Sequence, residues 1–212
     1  MRGAAKARWK GRRTMGALAD SIVESAKIGR RYADRLLKDV RPEQFARRPI
    51  VGGREVETNH AAFVYGHLAV TNAWMATLMR VDEAGLSVVS GGSGVSGVSG
   101  VSGGGGGGAV VSVPAGYEAL FKDGVECRDD PEGSIYPPMK EITDVFFTTF
   151  DRLIGMVASA PDESLAVPTP DSKARAFVST VGTAGVFMLN SHIMMHMGQV
   201  SVWRRCMGLG RA

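Results

Sequence analysis

The chain has 212 residues, which suffices for one domain or at most two small ones. Its formal net charge of +4 is unevenly distributed, because six basic residues and no acidic residue lie within residues 1–13. Without those six, 19 of the 25 basic residues remain against 21 acidic residues, so the rest of the chain is close to neutral. This argues against a nucleic-acid-binding protein, which needs a basic face on its folded domain.

The basic segment at residues 1–14 is predicted to be a disordered tail. Two other interpretations remain open, namely a targeting peptide and upstream sequence translated from a start codon before Met15. Cys127 and Cys206 lack CxxC spacing, which favours a reducing compartment. The sequence contains no run of about 20 apolar residues, which is the length needed to cross a bilayer. We therefore expect a cytoplasmic protein without a membrane partner.

Two helices are predicted in the first part of the chain. The first spans Met15 to Lys38, and its apolar positions at helical spacing are Leu18, Ile22, Tyr32 and Leu36. The second begins near Thr58 or Asn59, which are favourable N-caps, and runs to about Arg80. Its stripe consists of Phe63, His67, Val70 and Trp74.

A low-complexity segment with a Gly-Val-Ser period occupies residues 85–112, approximately. Glycine this dense loses too much entropy to become ordered, and it offers few side chains to bury. The repeat lacks the proline of collagen, and no Lys-Ser/Thr follows it as in a phosphate-binding loop. We predict a disordered insertion in a loop that joins the second helix to the third.

Two further helices are predicted after this insertion. The third follows Tyr136-Pro-Pro and runs to about Ala160, with the apolar stripe Ile142, Phe146, Phe150, Leu153 and Val157. The fourth is capped by Thr180, runs to about Met207 and ends at glycines. Four amphipathic helices without strand alternation predict an all-α single domain at 15–212, folded as a four-helix bundle. The long Gly-rich connection can cross the bundle, which allows an up-down-down-up order.

His192 and His196 stand four residues apart in the fourth predicted helix, in the run SHIMMHMGQ. Residues at this spacing share one helical face, so both imidazoles can reach one metal ion. Two interpretations remain open for the pair. The histidines are either metal ligands, or core residues whose ring nitrogens are satisfied by hydrogen bonds.

His67 on the second helix is a candidate for a third ligand. Three inward histidines on two helices form a His₃ site with one position left for water or substrate, as in catalytic zinc sites. Gly66 before it allows a neighbouring element to approach closely. His60 lies about 10 Å lower along the same helix, in its first turn, so we assign it a structural role.

Other catalytic templates do not match the chain. The HExxH motif needs Glu directly after the first histidine, but Ile193 follows His192. A di-iron carboxylate bundle needs two Glu-x-x-His motifs, and only Glu57–His60 has that spacing. The sequence has no nucleophile-elbow motif that would support a serine-based catalytic triad.

Three segments resemble the DinB-like superfamily of metal-binding four-helix bundles. They are DVRPEQFARRP at 39–49, NHAAFVYGHLAV at 59–70, and HIMMHMGQVSVWRRCMGLG at 192–210. The similarity extends from about residue 15 to the end, apart from the glycine-rich insertion. Neither that insertion nor the basic tail is explained by it.

The resemblance implies an up-down-down-up bundle in which His67, His192 and His196 hold a divalent metal, most often zinc or nickel. It also implies a homodimer, and for members with known activity a transferase or isomerase that uses low-molecular-weight thiols. We therefore expect a metal-dependent enzyme that activates such a thiol or water towards a small electrophile, as an S-transferase or a hydrolase. Gln199 is expected either to support the ligands or to lie at an interface. No catalytic base can be named, although Tyr136 and Glu141 are candidates.

A second class of function remains open. In this alternative the metal or the histidines only stabilise a helical bundle that serves as a binding or dimerisation module. A fourth protein ligand that closes the site would favour this alternative, whereas an open coordination position would favour the enzyme.

Overall fold

A computed structural model of the protein describes residues 16–79 and 111–212. The predicted tail at 1–14 lies outside the described residues, as does the predicted insertion up to residue 110. The elements in chain order are α1 (Ala17–Leu36), α2 (Pro42–Phe45), β1 (Ile50–Val51), β2 (Arg54–Glu55), α3 (Ala61–Leu78), α4 (Tyr117–Phe121), α5 (Met139–Ser159), α6 (Asp162–Ala166), α7 (Ser172–Arg175), α8 (Val181–Val186), a π-helical segment (Phe187–His192) and α9 (Ile193–Cys206).

The predicted all-α class is confirmed by this element order. Within the described part of the chain, strands occur only in the two-residue antiparallel hairpin β1–β2. Gly52 and Gly53 form its turn with φ of 60° and 78°, a conformation that favours glycine. None of the helices in residues 16–79 and 111–212 has the length and apolar character required to span a membrane.

The ends of the helices agree with the predictions except at the start of α3. Neither Thr58 nor Asn59 is its N-cap, because Nδ1 of His60 accepts a hydrogen bond of 3.2 Å from the Phe63 amide. The prediction was wrong since an imidazole with an unprotonated Nδ1 can cap a helix like an Asn side chain. The cap predicted at Thr180 is confirmed, and its hydroxyl accepts from the Thr183 amide.

The buried face of α1 confirms the predicted stripe at Ile22 and Leu36 but not at its other two positions. Leu18 is 39% exposed, and Tyr32 is only partly buried. The buried face consists mostly of small residues, namely Ala19, Ile22, Val23, Ala26, Gly29, Ala33 and Leu36. A Cβ added at Gly29 would lie 3.2 Å from Cγ2 of Ile193. The small residues therefore allow α1 to pack closely against α9, which large side chains would prevent.

The core is centred on α3 and α5. All five residues of the predicted stripe on α5 are fully buried, as the helical spacing indicated. Tyr65 of α3 contacts the ring of Phe146 edge-on at 5.1 Å, and its hydroxyl donates a hydrogen bond of 2.6 Å to the Ala33 carbonyl of α1. The long helices thus share one apolar core. The up-down-down-up order stays a prediction, because the connection from α3 to α5 includes residues 80–110.

Arg204 is a charged residue buried within this core, with 1% of its surface exposed. Its guanidinium donates to the carbonyl of Leu36, the last residue of α1, to that of Lys38, two residues later, and to that of Leu209. These carbonyls would otherwise be unpaired at a helix end, so Arg204 ties the end of α9 to the end of α1.

The predicted fourth helix contains a π-helical segment that its sequence did not indicate. α8 and α9 are α-helical, whereas the segment Phe187–His192 between them is π-helical. In such a segment the hydrogen bonds join residues five apart instead of four. His192 is its last residue, so the irregularity ends where the histidine pair begins.

Gly66 provides a first test of this packing. A Cβ at this position would overlap the buried ring of Phe121 in α4. We expect Gly66→Ala to lower the free energy of unfolding by about 1–3 kcal/mol, as overpacked cores do. Chemical denaturation measures the effect.

Gly155 of α5 is the matched control, because a Cβ there meets no atom within 4 Å. Gly155→Ala should raise the free energy of unfolding by about 0.5–1 kcal/mol through its helix propensity. Equal effects of the two variants would contradict the close approach of α4 to α3.

Candidate metal centre

Three of the four histidines in the chain converge on one point. His67 comes from α3, His192 from the end of the π-helical segment, and His196 from the first turns of α9. One ring nitrogen of each lies within 4.8 Å of the others, and all three residues are 7–8% exposed. Nε2 of His192 lies 3.4 Å from Nε2 of His67 and 3.0 Å from Nε2 of His196.

The other ring nitrogens of His67 and His196 determine the tautomers. Nδ1 of His67 lies 2.9 Å from the Phe121 carbonyl oxygen, and Nδ1 of His196 lies 3.0 Å from Oε1 of Gln199. These oxygens can only accept, so each Nδ1 carries the hydrogen and donates it. Both Nε2 atoms therefore present lone pairs to the centre of the site. Metal-binding histidines are commonly oriented by hydrogen bonds of this kind.

The donor set can be tested for its fit to a metal. A neutral His192 can supply at most one hydrogen from Nε2, and the lone pairs of His67 and His196 both face it. Hydrogen bonds among the rings alone therefore leave a buried acceptor unmatched, which is unfavourable. A divalent cation would satisfy all three nitrogens together. Imidazole nitrogens suit zinc and nickel, so the three residues fit such an ion.

Burial keeps the site in the neutral form that metal binding requires. Burial lowers the pKa of His192 to about 3, and the neighbouring rings of His196 and His67 act in the same direction. The pKa of His196 is also lowered by burial, although its hydrogen bond to Gln199 opposes the shift. At neutral pH both rings are therefore uncharged.

Gln199 connects the site to a neighbouring cavity. Its Oε1 accepts from Nδ1 of His196 and, at 3.5 Å, from Nδ2 of Asn59. Both amide side chains line a polar cavity of about 440 Å³, which Arg48 and Cys127 also line. Gln199 thus contacts Nδ1 of the candidate metal ligand His196, while Nε2 of the same ring faces the other two histidines.

His60 lies outside this cluster. Its Nδ1 accepts from the Phe63 amide, and its Nε2 lies 2.8 Å from the Arg128 carbonyl oxygen, to which it donates. Both nitrogens therefore bond the backbone, in keeping with the structural role inferred from its position at the helix start. Burial lowers the pKa of His60 to about 4.

The two candidate bases take part in other contacts. The hydroxyl of Tyr136 accepts a hydrogen bond of 2.9 Å from the Arg128 amide. Glu141 accepts one of 3.3 Å from the hydroxyl of Tyr117. These bonds fix the chain before α5 and its first turn, and neither involves a histidine of the cluster.

Two contributors to the site were not predicted. The Phe121 carbonyl that orients His67 belongs to the backbone of α4, so no side chain indicates its role. Asp123, two residues later, is exposed, and its negative charge opposes the lowering of the His196 pKa by burial. No sequence signal identifies it, because its proximity to His196 arises only on folding.

An all-α protein with a buried group of three histidines is the class that the fold and the site define. Comparison with protein families shows a match to the DinB superfamily over residues 26–200. The chain therefore belongs to the DinB superfamily. Comparisons with curated proteins and with solved structures gave no match.

The buried His60 predicts a pH dependence of stability. Its pKa falls from 6.5 in the unfolded chain to about 4 in the folded one, so below pH 6.5 the unfolded state binds the proton first. The stabilising effect of the neutral ring is complete above pH 6.5 and is lost as the pH falls to about 4. We expect His60 to reduce the free energy of unfolding by up to about 3 kcal/mol across this interval.

Denaturation of metal-free wild type and His60→Asn at several pH values measures this contribution. The variant keeps a capping side chain, and both proteins retain the other histidines. The stability difference between them should narrow as the pH decreases. Parallel pH profiles would contradict the assignment.

Proposed function

We propose that the protein is a metal-dependent enzyme in which His67, His192 and His196 hold a divalent ion, zinc or nickel. The observation that carries this proposal is the convergence of the Nε2 atoms, two of which are fixed as lone-pair donors by the Phe121 carbonyl and Gln199. Two hydrogen-bonded core histidines would not require a third ring at the same point. Membership of the DinB superfamily supports the same conclusion.

The reaction that this site suits is the activation of a low-molecular-weight thiol or water towards a small electrophilic substrate. A dication held by three neutral imidazoles retains its full charge and favours the ionised form of a thiol or water beside it. The chain orients the rings through Phe121 and Gln199, and the ring of Phe63 lies nearly parallel to that of His67 with centroids 6.4 Å apart. No catalytic base is assigned, since the hydrogen bonds of Tyr136 and Glu141 involve no histidine of the cluster.

The proposed arrangement of the whole chain follows the family. We infer an up-down-down-up four-helix bundle within one domain at 15–212, with the Gly-rich segment as its crossover between the second and third long helices. We also infer a cytoplasmic homodimer that binds a small molecule and neither nucleic acid nor membrane. The near-neutral body of the chain supports the last point.

The alternative is a non-catalytic bundle in which the metal stabilises a binding or dimerisation module. In the described residues, the group that could hold a metal contains three side chains and no fourth His, Cys, Asp or Glu. A structural zinc site normally has four protein ligands. The three-residue group therefore favours the enzyme, which needs a position for its substrate.

Metal binding is the first prediction of this proposal. Wild-type protein prepared without chelator and offered zinc or nickel should retain about one ion per chain by elemental analysis. His67→Ala, His192→Ala and His196→Ala should each lose it. Gln199→Ala should weaken metal affinity about 10–100-fold, as loss of a ligand-orienting group does.

The fourth histidine is the internal control. His60→Asn removes an imidazole from the same helix as His67, yet it should retain the full metal content because it does not face the site. Wild-type protein without metal after this treatment would refute the metal centre.

The chemistry is tested separately on the metal-loaded protein. We expect consumption of a small electrophile with at least one member of a panel of cellular thiols, and loss of this activity in His192→Ala. Consumption without any thiol would identify the hydrolase. If no thiol and no water reaction occurs although metal is bound, the non-catalytic alternative is correct.

A further inference from the structure

The π-helical segment places an aromatic ring beside one of the three histidines. Phe187 is its first residue and His192 its last, and their ring centroids lie 5.5 Å apart with an interplanar angle of 30°. In an α-helix, residues five apart point about 140° away from each other. In a π-helix, residues five apart are joined by hydrogen bonds and lie on the same side. The irregular backbone is thus what brings Phe187 to His192.

A second aromatic ring extends this contact to the surface. Phe177 meets Phe187 edge-on, with ring centroids 4.7 Å apart, and 69% of Phe177 is exposed. We call Phe177 and Phe187 the aromatic wall. It leads from solvent to His192.

Phe177 is held in place by the backbone on both of its sides. Its amide donates to the Ala174 carbonyl at 2.9 Å. The carbonyl of the next residue, the buried Val178, accepts a hydrogen bond of 2.6 Å from the Thr169 hydroxyl. The exposed ring is therefore presented by a fixed turn. Its exposed face can contact an apolar part of a ligand, and its edge-on contact connects that face to Phe187, next to His192.

We propose that the aromatic wall determines specificity by binding an apolar, ring-containing part of the substrate. This rests on the proposed function, because the reactive polar group of the same molecule would lie at the three histidines. Because Phe187 contacts His192, a molecule with one ring and one polar group can place the ring on the aromatic wall and the polar group at the histidines. Ring contacts of this kind are offset or edge-to-face and contribute to affinity beyond the area they bury. The substrate class is an electrophile with an aryl or similar apolar group.

Two hydroxamates of different size test this proposal. Acetohydroxamate and benzohydroxamate carry the same metal-chelating group, but only the second has a ring. Calorimetric titration of zinc- or nickel-loaded full-length protein gives both affinities, and titration of the metal ion alone gives the intrinsic ratio. For wild-type protein, we expect the ratio of benzohydroxamate affinity to acetohydroxamate affinity to be at least ten times the intrinsic ratio. Phe177→Ala should reduce the preference about threefold to tenfold.

Three further variants isolate the ring of Phe177. Phe177→Tyr keeps a ring and should keep the preference, while Phe187→Ala should reduce it like Phe177→Ala. Ile50→Ala is the matched control, because Ile50 is 67% exposed and lies on β1, outside the elements that carry the three histidines. It should leave the preference unchanged. Acetohydroxamate should bind Phe177→Ala within twofold of wild type.

The outcomes separate this inference from the function on which it rests. If acetohydroxamate does not bind the metal-loaded protein, the proposed function fails and the aromatic wall fails with it. If acetohydroxamate binds but wild type shows only the intrinsic ratio, the aromatic wall alone is refuted. An unchanged preference in Phe177→Ala with intact metal content refutes it equally.

Discussion

The placement of imidazole lone pairs inside an apolar core is the constraint on which the surroundings of the site depend. His67 and His196 each use Nδ1–H to bond an oxygen, which leaves Nε2 of both rings directed at His192. An unmatched buried acceptor costs about 1–3 kcal/mol, so this arrangement is unfavourable without a partner for the lone pairs. Because Gly66 has no side chain, the ring of Phe121 packs directly against α3. This packing brings the Phe121 carbonyl of α4 within hydrogen-bonding distance of His67. A cation among the three rings would supply that partner for the lone pairs.

The π-helical segment belongs to the same arrangement. Its hydrogen bonding is less favourable than that of an α-helix, and such segments persist mostly where they serve a site. Here the extra residue per turn sets His192 at its end and Phe187 on the same side. A regular helix would keep the spacing from His192 to His196 but would turn Phe187 away. The proposed metal contact therefore uses the α-helical spacing of His192 and His196, whereas the aromatic contact uses the π-helical spacing of Phe187 and His192.

Features that depend on residues close together in the sequence were predicted well, whereas most features that depend on contacts made by folding were not. The buried stripe of α5 and the cap at Thr180 depend on neighbours along one helix, so periodicity and cap chemistry sufficed. The convergence of His67 with the later pair is a contact between distant segments, which spacing suggested and the family motif strengthened. The π-helical segment, the Phe121 carbonyl and Asp123 left no such signal. Each depends on backbone geometry or on proximity created by folding. On α1 the predicted stripe failed at Leu18 and Tyr32, because close packing selected small residues over large ones.

The chemistry around the histidines differs between the two ends of the cluster, and this difference bears on how two reactants would share the site. Beyond His196 lie Gln199, Asn59 and a polar cavity lined by Arg48. Beyond His192 lies the aromatic wall, where removal of an apolar group from water is favourable. A polar thiol and an apolar electrophile would not compete for the same surroundings in such a site. A single hydrolytic substrate would need only one of them, so the presence of both supports the transfer reaction over hydrolysis within the proposed function.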